Sequence, residues 1–133
     1  MNEIMTIIEV EVNPTENLEK VKLAIENVFG AVEFEVHTRE LGGTLIATAR
    51  GPEGLTKLYN LLRRERIRNA ARSVLFRGLD DKSIVFYLNK QVAYAGHVSF
   101  SEPMGESPLG PIKVKITCDN PRELIEWLAP RIT

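Results

Sequence analysis

A regular alternation of apolar and polar side chains decides the fold, and it opens the chain as Ile4-Met5-Thr6-Ile7-Ile8-Glu9-Val10-Glu11-Val12. Ile8, Val10 and Val12 fall on one side of an extended chain, whereas Glu9 and Glu11 fall on the other. Because successive side chains of a strand point to opposite faces, this pattern predicts a half-buried β-strand with one solvent-facing side.

Five further stretches alternate in the same way or are rich in strand-forming residues. They predict strands over residues 32–37, 44–50, 83–88, 97–100 and 113–116. Gly42-Gly43 predicts a turn that joins the second and third strands as a hairpin. Helical spacing of apolar residues predicts the helices between the strands, and one such core face comprises Ile67, Ala70, Ala71, Val74 and Leu75.

Two sequences of the form Asn-Pro-x-Glu, at residues 13–16 and 120–123, predict the starts of the first and last helices. In each, the Asn side chain caps the helix, Pro takes the first helical position, and Glu completes a capping pair. Asn89 predicts the start of a short helix that continues through Tyr94.

The order of these elements predicts an α+β fold. We expect a two-layer sandwich in a single domain over residues 1–133, with a largely antiparallel sheet and with helices on one face. The solvent-facing side of the sheet is expected to carry Glu9, Glu11, Glu33, Glu35, Lys113 and Lys115. If the first and last long strands are neighbours, these acids and lysines pair across strands.

The composition favours an ordinary folded protein of the cytoplasm. The chain has 133 residues, a net charge of −1 and one cysteine, Cys118, which excludes an internal disulfide and fits a reducing compartment. No apolar run approaches the roughly 20 residues of a membrane helix, and the N-terminus does not resemble a signal peptide. We therefore expect a cytoplasmic protein without a membrane partner.

The positive charge is concentrated between residues 57 and 77, where seven basic residues accompany a single acid. The centre of this segment reads Arg63-Arg64-Glu65-Arg66-Ile67-Arg68-Asn69-Ala70-Ala71-Arg72. On one helix, Arg64, Arg68 and Arg72 would form a stripe beside the apolar face. The planar guanidinium of Arg suits phosphate, so the stripe predicts contact with a nucleic-acid backbone.

Two other interpretations of the arginine stripe stay open. The arginines could pair with the surplus acids of the chain, or cover apolar edges with their side-chain stems. They could also form an interface with an acidic protein partner or with a second copy of the chain, because Arg is enriched at interfaces.

Asn89-Lys90-Gln91 marks the point where a strand gives way to a short helix. Free backbone N–H groups beside Lys90 would form an anion site, and Gln91 could read base edges. The alternative, which the sequence favours, is an ordinary capped helix with a solvated lysine. The segment 107–111 is a stiff loop that either presents backbone to a ligand or only connects two strands.

Nothing in the sequence predicts catalysis, a metal site or a cofactor. His37 and His97 are far apart without ligand spacing, and Cys118 ends an apolar strand as a core residue. The paired glutamates at 9 and 11 and at 33 and 35 follow from strand alternation. An enzyme acting on a small molecule would need these acids and His37 in one cleft.

Four segments together resemble a small archaeal family of uncharacterised proteins described as RNA-binding. They are residues 66–72, 88–93 (Leu-Asn-Lys-Gln-Val-Ala), 107–112 (Ser-Pro-Leu-Gly-Pro-Ile) and 127–133 (Trp-Leu-Ala-Pro-Arg-Ile-Thr), and the resemblance covers essentially the whole chain. It implies a fold similar to that of the large-subunit ribosomal protein numbered five, and it implies no reaction. Some members are described alongside a nucleotide-kinase-like protein, which keeps a protein partner open.

The residues and the resemblance together predict a non-catalytic RNA-binding protein with no cofactor. RNA is the expected partner, and a homodimer or another protein bound through the same basic helix is the alternative. The residues predicted to contact RNA are Arg63, Arg64, Arg66, Arg68, Arg72, Lys90 and Gln91.

Overall fold

A computed structural model describes residues 3–103 and 110–132, in which six strands form one sheet. The strands are β1 (Met5–Val12), β2 (Glu33–Thr38), β3 (Gly43–Arg50), β4 (Ser83–Asn89), β5 (Phe100–Ser101) and β6 (Pro111–Thr117). The helices are α1 (Leu18–Val28), α2 (Thr56–Arg64), α3 (Arg68–Arg77), α4 (Lys90–Tyr94) and α5 (Pro121–Leu128), and a 3-10 turn (Pro52–Leu55) precedes α2.

The sheet has the strand order β2-β3-β1-β6-β4-β5, and every neighbouring pair is antiparallel. This arrangement confirms the predicted α+β class and the hairpin of β2 and β3. It also confirms that the first and last long strands are neighbours, because Glu9 of β1 lies opposite Lys113 of β6.

Side chains on one face of the sheet form the core with the helices. In β1, β4 and β6 every second residue is buried, and the residues between them are half-buried or exposed. Phe29, Phe86, Ile8 and Leu62 are among the largest fully buried side chains, and Cys118 is buried as predicted. Burial raises the pKa of the Cys118 thiol, which keeps it protonated and unreactive.

The first helix begins later than predicted. Asn17, not Asn13, caps α1 by accepting hydrogen bonds from the backbone N–H groups of Glu19 and Lys20. Asn13 and Glu16 do bond to each other, but they close a separate turn before the helix. The prediction for the other two starts is confirmed, since Asn89 caps α4 and Asn120 caps α5.

Gly78 ends α3 and lets the helix approach β4 closely. A β-carbon at this position would lie 1.8 Å from the backbone oxygen of Val85, which no other residue could accommodate without moving the chain. The backbone N–H of Val85 donates to the oxygen of Gly78 at 3.0 Å, so the end of α3 is fixed against the sheet.

Three other predictions differ from the structure or lie outside it. Ala70, predicted on the core face of its helix, is exposed, whereas Ala71 and Leu75 are buried. The strand predicted at 97–100 is shorter and begins at Phe100. The predicted loop segment Ser107-Pro108-Leu109 lies outside the described residues, and Pro111 already belongs to β6.

Candidate nucleic-acid interface

The basic segment forms two helices with a tight connection at Arg66. Helix α2 ends at Arg64, and Arg66 adopts a left-handed backbone with φ of 58°. Its N–H donates to the Arg63 oxygen at 3.2 Å, and the N–H of Ile67 donates to the Leu62 oxygen at 3.0 Å. These two bonds form a Schellman cap, whose left-handed position is usually occupied by glycine.

The predicted stripe on one helix is therefore wrong. Arg64 ends α2 whereas Arg68 and Arg72 belong to α3, and the chain changes direction between them. The apolar spacing indicates two separate helical patterns, one ending at Leu62 and one beginning at Ile67. The predicted stripe nevertheless crosses both, because an arginine occupies the position where a glycine usually marks the end of a helix.

Arg63 serves the fold rather than a ligand. Its Nη1 donates to the backbone oxygens of Tyr59 at 3.0 Å and Leu128 at 3.2 Å, and its Nη2 donates to that of Trp127 at 3.2 Å. The guanidinium also lies 3.4 Å from the centre of the Tyr59 ring, which stacks on Trp127. Arg63 thus caps the C-terminal end of α5, where a cation is favourable.

Arg72 is also engaged within the chain. Both of its terminal nitrogens bond to the carboxylate of Glu126, and only 17% of the side chain is exposed. The bond with Arg72 holds the pKa of Glu126 below its usual value. The contact of Arg72 with Glu126 agrees with the alternative interpretation, in which arginines of the segment pair with acids elsewhere in the chain.

Lys90 is not available as a solvated cation. Its side chain is 4% exposed, and its Nζ donates to the Glu11 backbone oxygen at 2.8 Å and to the Glu16 carboxylate at 3.0 and 3.2 Å. Lys90 therefore cannot contribute to the predicted anion site at this helix start, because its side chain points into the protein. Gln91, the other residue predicted there, is exposed.

The remaining predicted arginines are accessible to different degrees. Arg64 is 66% exposed, and within residues 3–103 and 110–132 its Nη2 donates to the Gly96 oxygen at 3.3 Å and lies 3.7 Å from Glu65. Arg66 is exposed, and among the described residues no acidic group lies within ion-pair distance of it. Arg68 is half-buried, and its Nε is buried without a described hydrogen-bond partner.

The structure adds an aromatic and basic groove that the sequence reasoning missed. Phe76 of α3 lies near two guanidinium groups, with Arg72 4.9 Å and Arg122 5.7 Å from its ring centre. A groove of about 610 Å³ borders this cluster and is lined by Asn69, Arg72, Ser73, Phe76, Arg131 and Ile132. Arg122 and Arg131 come from α5 and the segment after it, so only the packing of α5 on α3 brings them here.

We use the name α3 outer surface for the exposed basic residues around α3 together with Phe76. The basic residues are Arg64, Arg66, Arg77, Arg122 and Arg131. Within the described part of the chain, Arg66, Arg77 and Arg122 have no carboxylate within 4 Å, and Arg131 acts on Glu126 only at longer range. Helix α3 is about 15 Å long, which suits contact with several successive phosphates.

Two features are absent from the part of the chain that the structure describes. No helix among residues 3–103 and 110–132 is long and apolar enough to span a membrane. The same residues contain no group of three or more His, Cys, Asp or Glu side chains arranged to hold a metal ion. His37 lies on the open sheet face, where its Nε2 is 3.1 Å from Glu35.

Known proteins resemble this chain along nearly its whole length. Residues 6–118 match a family described as RNA binding. A UPF0201 protein of Pyrobaculum arsenaticum is 46% identical over 92% of this chain and 86% of its own, and one of Thermococcus kodakarensis is 44% identical over 98% and 94%. The crystal structure of a UPF0201 protein from Methanococcus jannaschii matches with 35% identity and a TM-score of 0.86, covering 97% of this chain and 95% of that one.

Proposed function

The chain belongs to this family of archaeal UPF0201 proteins described as RNA binding, and we propose that it binds RNA without catalysis through the α3 outer surface. The predicted family membership is thereby confirmed, whereas the likeness to the ribosomal protein stays a prediction. In the proposal, Arg66, Arg77 and Arg122 contact phosphates, and Arg64 and Arg131 assist them. Phe76 offers a ring on which an unpaired base can stack.

The observation that carries the proposal is the residue at position 66. A side chain other than glycine in the left-handed region costs on the order of 1–2 kcal/mol, and the Schellman cap at this position needs no arginine. Arg66 is nevertheless exposed and makes no ion pair with a described residue. Backbone strain is typical of functional positions, and here it accompanies a guanidinium at the start of α3 that no described carboxylate engages.

The charge distribution favours the helix layer, and not the open face of the sheet, as the RNA-binding surface. The open sheet face carries Glu9, Glu11, Glu33 and Glu35 beside Lys113 and Lys115, so it offers phosphate no continuous basic surface. Five exposed arginines instead lie around α3 and α5 in the helix layer, whereas Arg39 and Arg50 lie at the sheet, beside its acids. Arg63, Arg72 and Lys90 are assigned to the fold, so the proposed contacts differ from those that the sequence predicted.

Retention of total RNA at low salt tests this function. We expect the purified protein to retain RNA on a filter, and we expect the double variant Arg66→Glu/Arg77→Glu to retain much less. Arg50→Glu is the matched control, because Arg50 is an exposed arginine at the end of β3. Failure of the wild-type protein to retain RNA would reject the proposed function, and equal loss in the control would reject the proposed surface.

A further inference from the structure

The open face of the sheet has two halves of opposite charge. One row of side chains crosses all six strands and reads Glu35, Ile46, Glu9, Lys113, Tyr87, Ser101 from β2 to β5. The next row reads Glu33, Thr48, Ile7, Lys115, Val85. In these two rows the acids lie on β1 and β2 and the lysines on β6, so the sign of the charge changes between β1 and β6. The exposed Arg50 lies at the end of β3, beyond these two rows.

The charged residues nearest the centre of this face form no ion pairs with other described residues. Glu9 and Lys113 face each other across β1 and β6, yet they are not among the ion pairs found within the described residues, and neither are Lys115 and Glu33. By contrast, Glu35 contacts His37 and Glu11 binds Arg39. The central acid and lysines are therefore available to a partner.

Apolar side chains lie between these charges on the same open face. Ile7 at its centre is 37% exposed, and Ile46, Val85 and Tyr87 are half-buried. A band of aliphatic and aromatic groups flanked by charges is the usual composition of a protein interface. The helices cover the other face, so within the described residues nothing from the chain itself covers this one.

We propose that this face binds a second copy of the chain, and the charge pattern selects the symmetry. A two-fold axis parallel to the strands, between β1 and β6, places the acidic half of each copy on the basic half of the other. Glu9 then meets the partner's Lys113, and Ile46 meets the partner's Tyr87. In the second row, Ile7 packs on the aliphatic stem of the partner's Lys115, and Thr48 packs on the partner's Val85.

Other arrangements of the two sheets are disfavoured. A two-fold axis perpendicular to the strands places acids on acids and lysines on lysines, which electrostatic repulsion opposes. The proposed axis also aligns the strands of the two sheets, which is a common geometry for sheets that pack about 10 Å apart. The α3 outer surface stays exposed on both outer layers, so the dimer and RNA binding are independent properties.

Sedimentation equilibrium over a dilution series tests the proposal. We expect the wild-type protein to sediment at twice the 15.0 kDa mass of the chain and to dissociate on dilution or at high salt. In a dimer of Glu9→Lys or of Lys113→Glu, like charges would meet at two symmetry-related positions. Each variant alone is therefore expected to be monomeric. Glu26→Lys, on the exposed side of α1, is the matched control and should stay dimeric.

Mixing the two variants separates a lost interface from a damaged fold. In the heterodimer, the lysine introduced at position 9 meets the glutamate introduced at position 113, and the native Lys113 and Glu9 meet on the other side. We expect an equimolar mixture to recover the dimer mass. A monomeric wild-type protein, a dimer that survives Lys113→Glu, or a mixture that stays monomeric would each overturn the proposal. If either charge variant fails to fold, Ile46→Lys replaces it, with the same expected loss of the dimer.

Discussion

Lys90 and Glu16 form an ion pair in which the Nζ of Lys90 lies 3.0 and 3.2 Å from the two carboxylate oxygens of Glu16. Both side chains are almost excluded from solvent. The pair joins the turn at 13–16 to the start of α4, and the further bond from Lys90 to the Glu11 oxygen fixes the end of β1. Lys90 thus holds three segments together, and this explains why a basic residue at the start of a helix is not free to bind phosphate.

We predict that Lys90→Met lowers the free energy of unfolding by about 3–5 kcal/mol, because it leaves the Glu16 carboxylate buried without its counter-charge. Urea unfolding measures this loss. Lys90→Met/Glu16→Met should recover much of it, because no buried charge remains. Lys20→Met, on the exposed side of α1, is the control. A variant that keeps wild-type stability and loses RNA binding would show that Lys90 contacts RNA after all.

The Glu16 carboxylate should make stability depend on pH in the acid range. Burial alone would raise its pKa, but the hydrogen bonds from Asn13 and Lys90 outweigh burial and hold the pKa below 4.5. A lowered pKa stabilises the fold above the unfolded value, and the contribution disappears as pH falls through the folded value. The difference in unfolding free energy between wild type and Glu16→Gln should therefore be constant near neutrality and shrink below about pH 4.5. A difference that grows on acidification would contradict this assignment.

We predict that Arg66→Gly separates stability from RNA affinity. Glycine adopts the left-handed backbone without strain, so the free energy of unfolding should rise by up to about 1 kcal/mol despite the greater entropy of the unfolded chain. RNA affinity should fall because a phosphate contact is lost. Arg66→Lys keeps the charge and should retain most of the affinity without the gain in stability. Thermal unfolding and fluorescence anisotropy measure the two properties, and unchanged affinity in Arg66→Gly would count against the role of Arg66.

Glu126 binds the Arg72 guanidinium beside the Phe76 groove and so keeps it from contributing to RNA binding. Glu126→Gln should raise RNA affinity roughly two- to fivefold, because it frees the guanidinium and removes a negative charge beside the Phe76 groove. It should change the free energy of unfolding little, because the Glu126 carboxylate is about half exposed to solvent. Glu19→Gln on α1 changes the net charge equally and serves as the control in the same titration. Equal affinity gains in both variants would indicate a general charge effect instead of a local one.

The strands could be predicted from sequence because burial on one face of a sheet produces a local alternation of apolar and polar residues. Every second residue of β1 and β6 is buried, and all of these except Thr6 are apolar. The side chains of Asn89 and Asn120 cap the helices that directly follow them. The Asn13 prediction was only partly right. Asn13 and Glu16 do bond to each other, but Asn17 is the residue that caps α1. Glu16 also pairs with Lys90, which lies 74 residues further along the chain, and no local pattern indicates this contact.

The candidate site was less predictable than the fold, because the fate of an arginine depends on distant partners. Arg63 and Arg72 bond to α5 and the residues at its end, more than 50 residues further along the sequence. No local pattern indicates these contacts. The exposed Ala70 has a local cause instead, since the chain turns at Arg66 and α3 then directs Ala71 and Leu75 into the core. The part of the prediction that stays in the proposal is the pair Arg64 and Arg66, which lie at the connection between the two helices.

The salt dependence of RNA binding tests the central claim most directly. If the α3 outer surface engages four to six phosphates of a single strand, a plot of log K against log salt should have a slope of about −3 to −4. Arg66→Glu/Arg77→Glu/Arg122→Glu should flatten that slope, and Arg50→Glu should leave it unchanged. A triple variant that binds labelled single-stranded RNA with the wild-type affinity and slope would contradict the account.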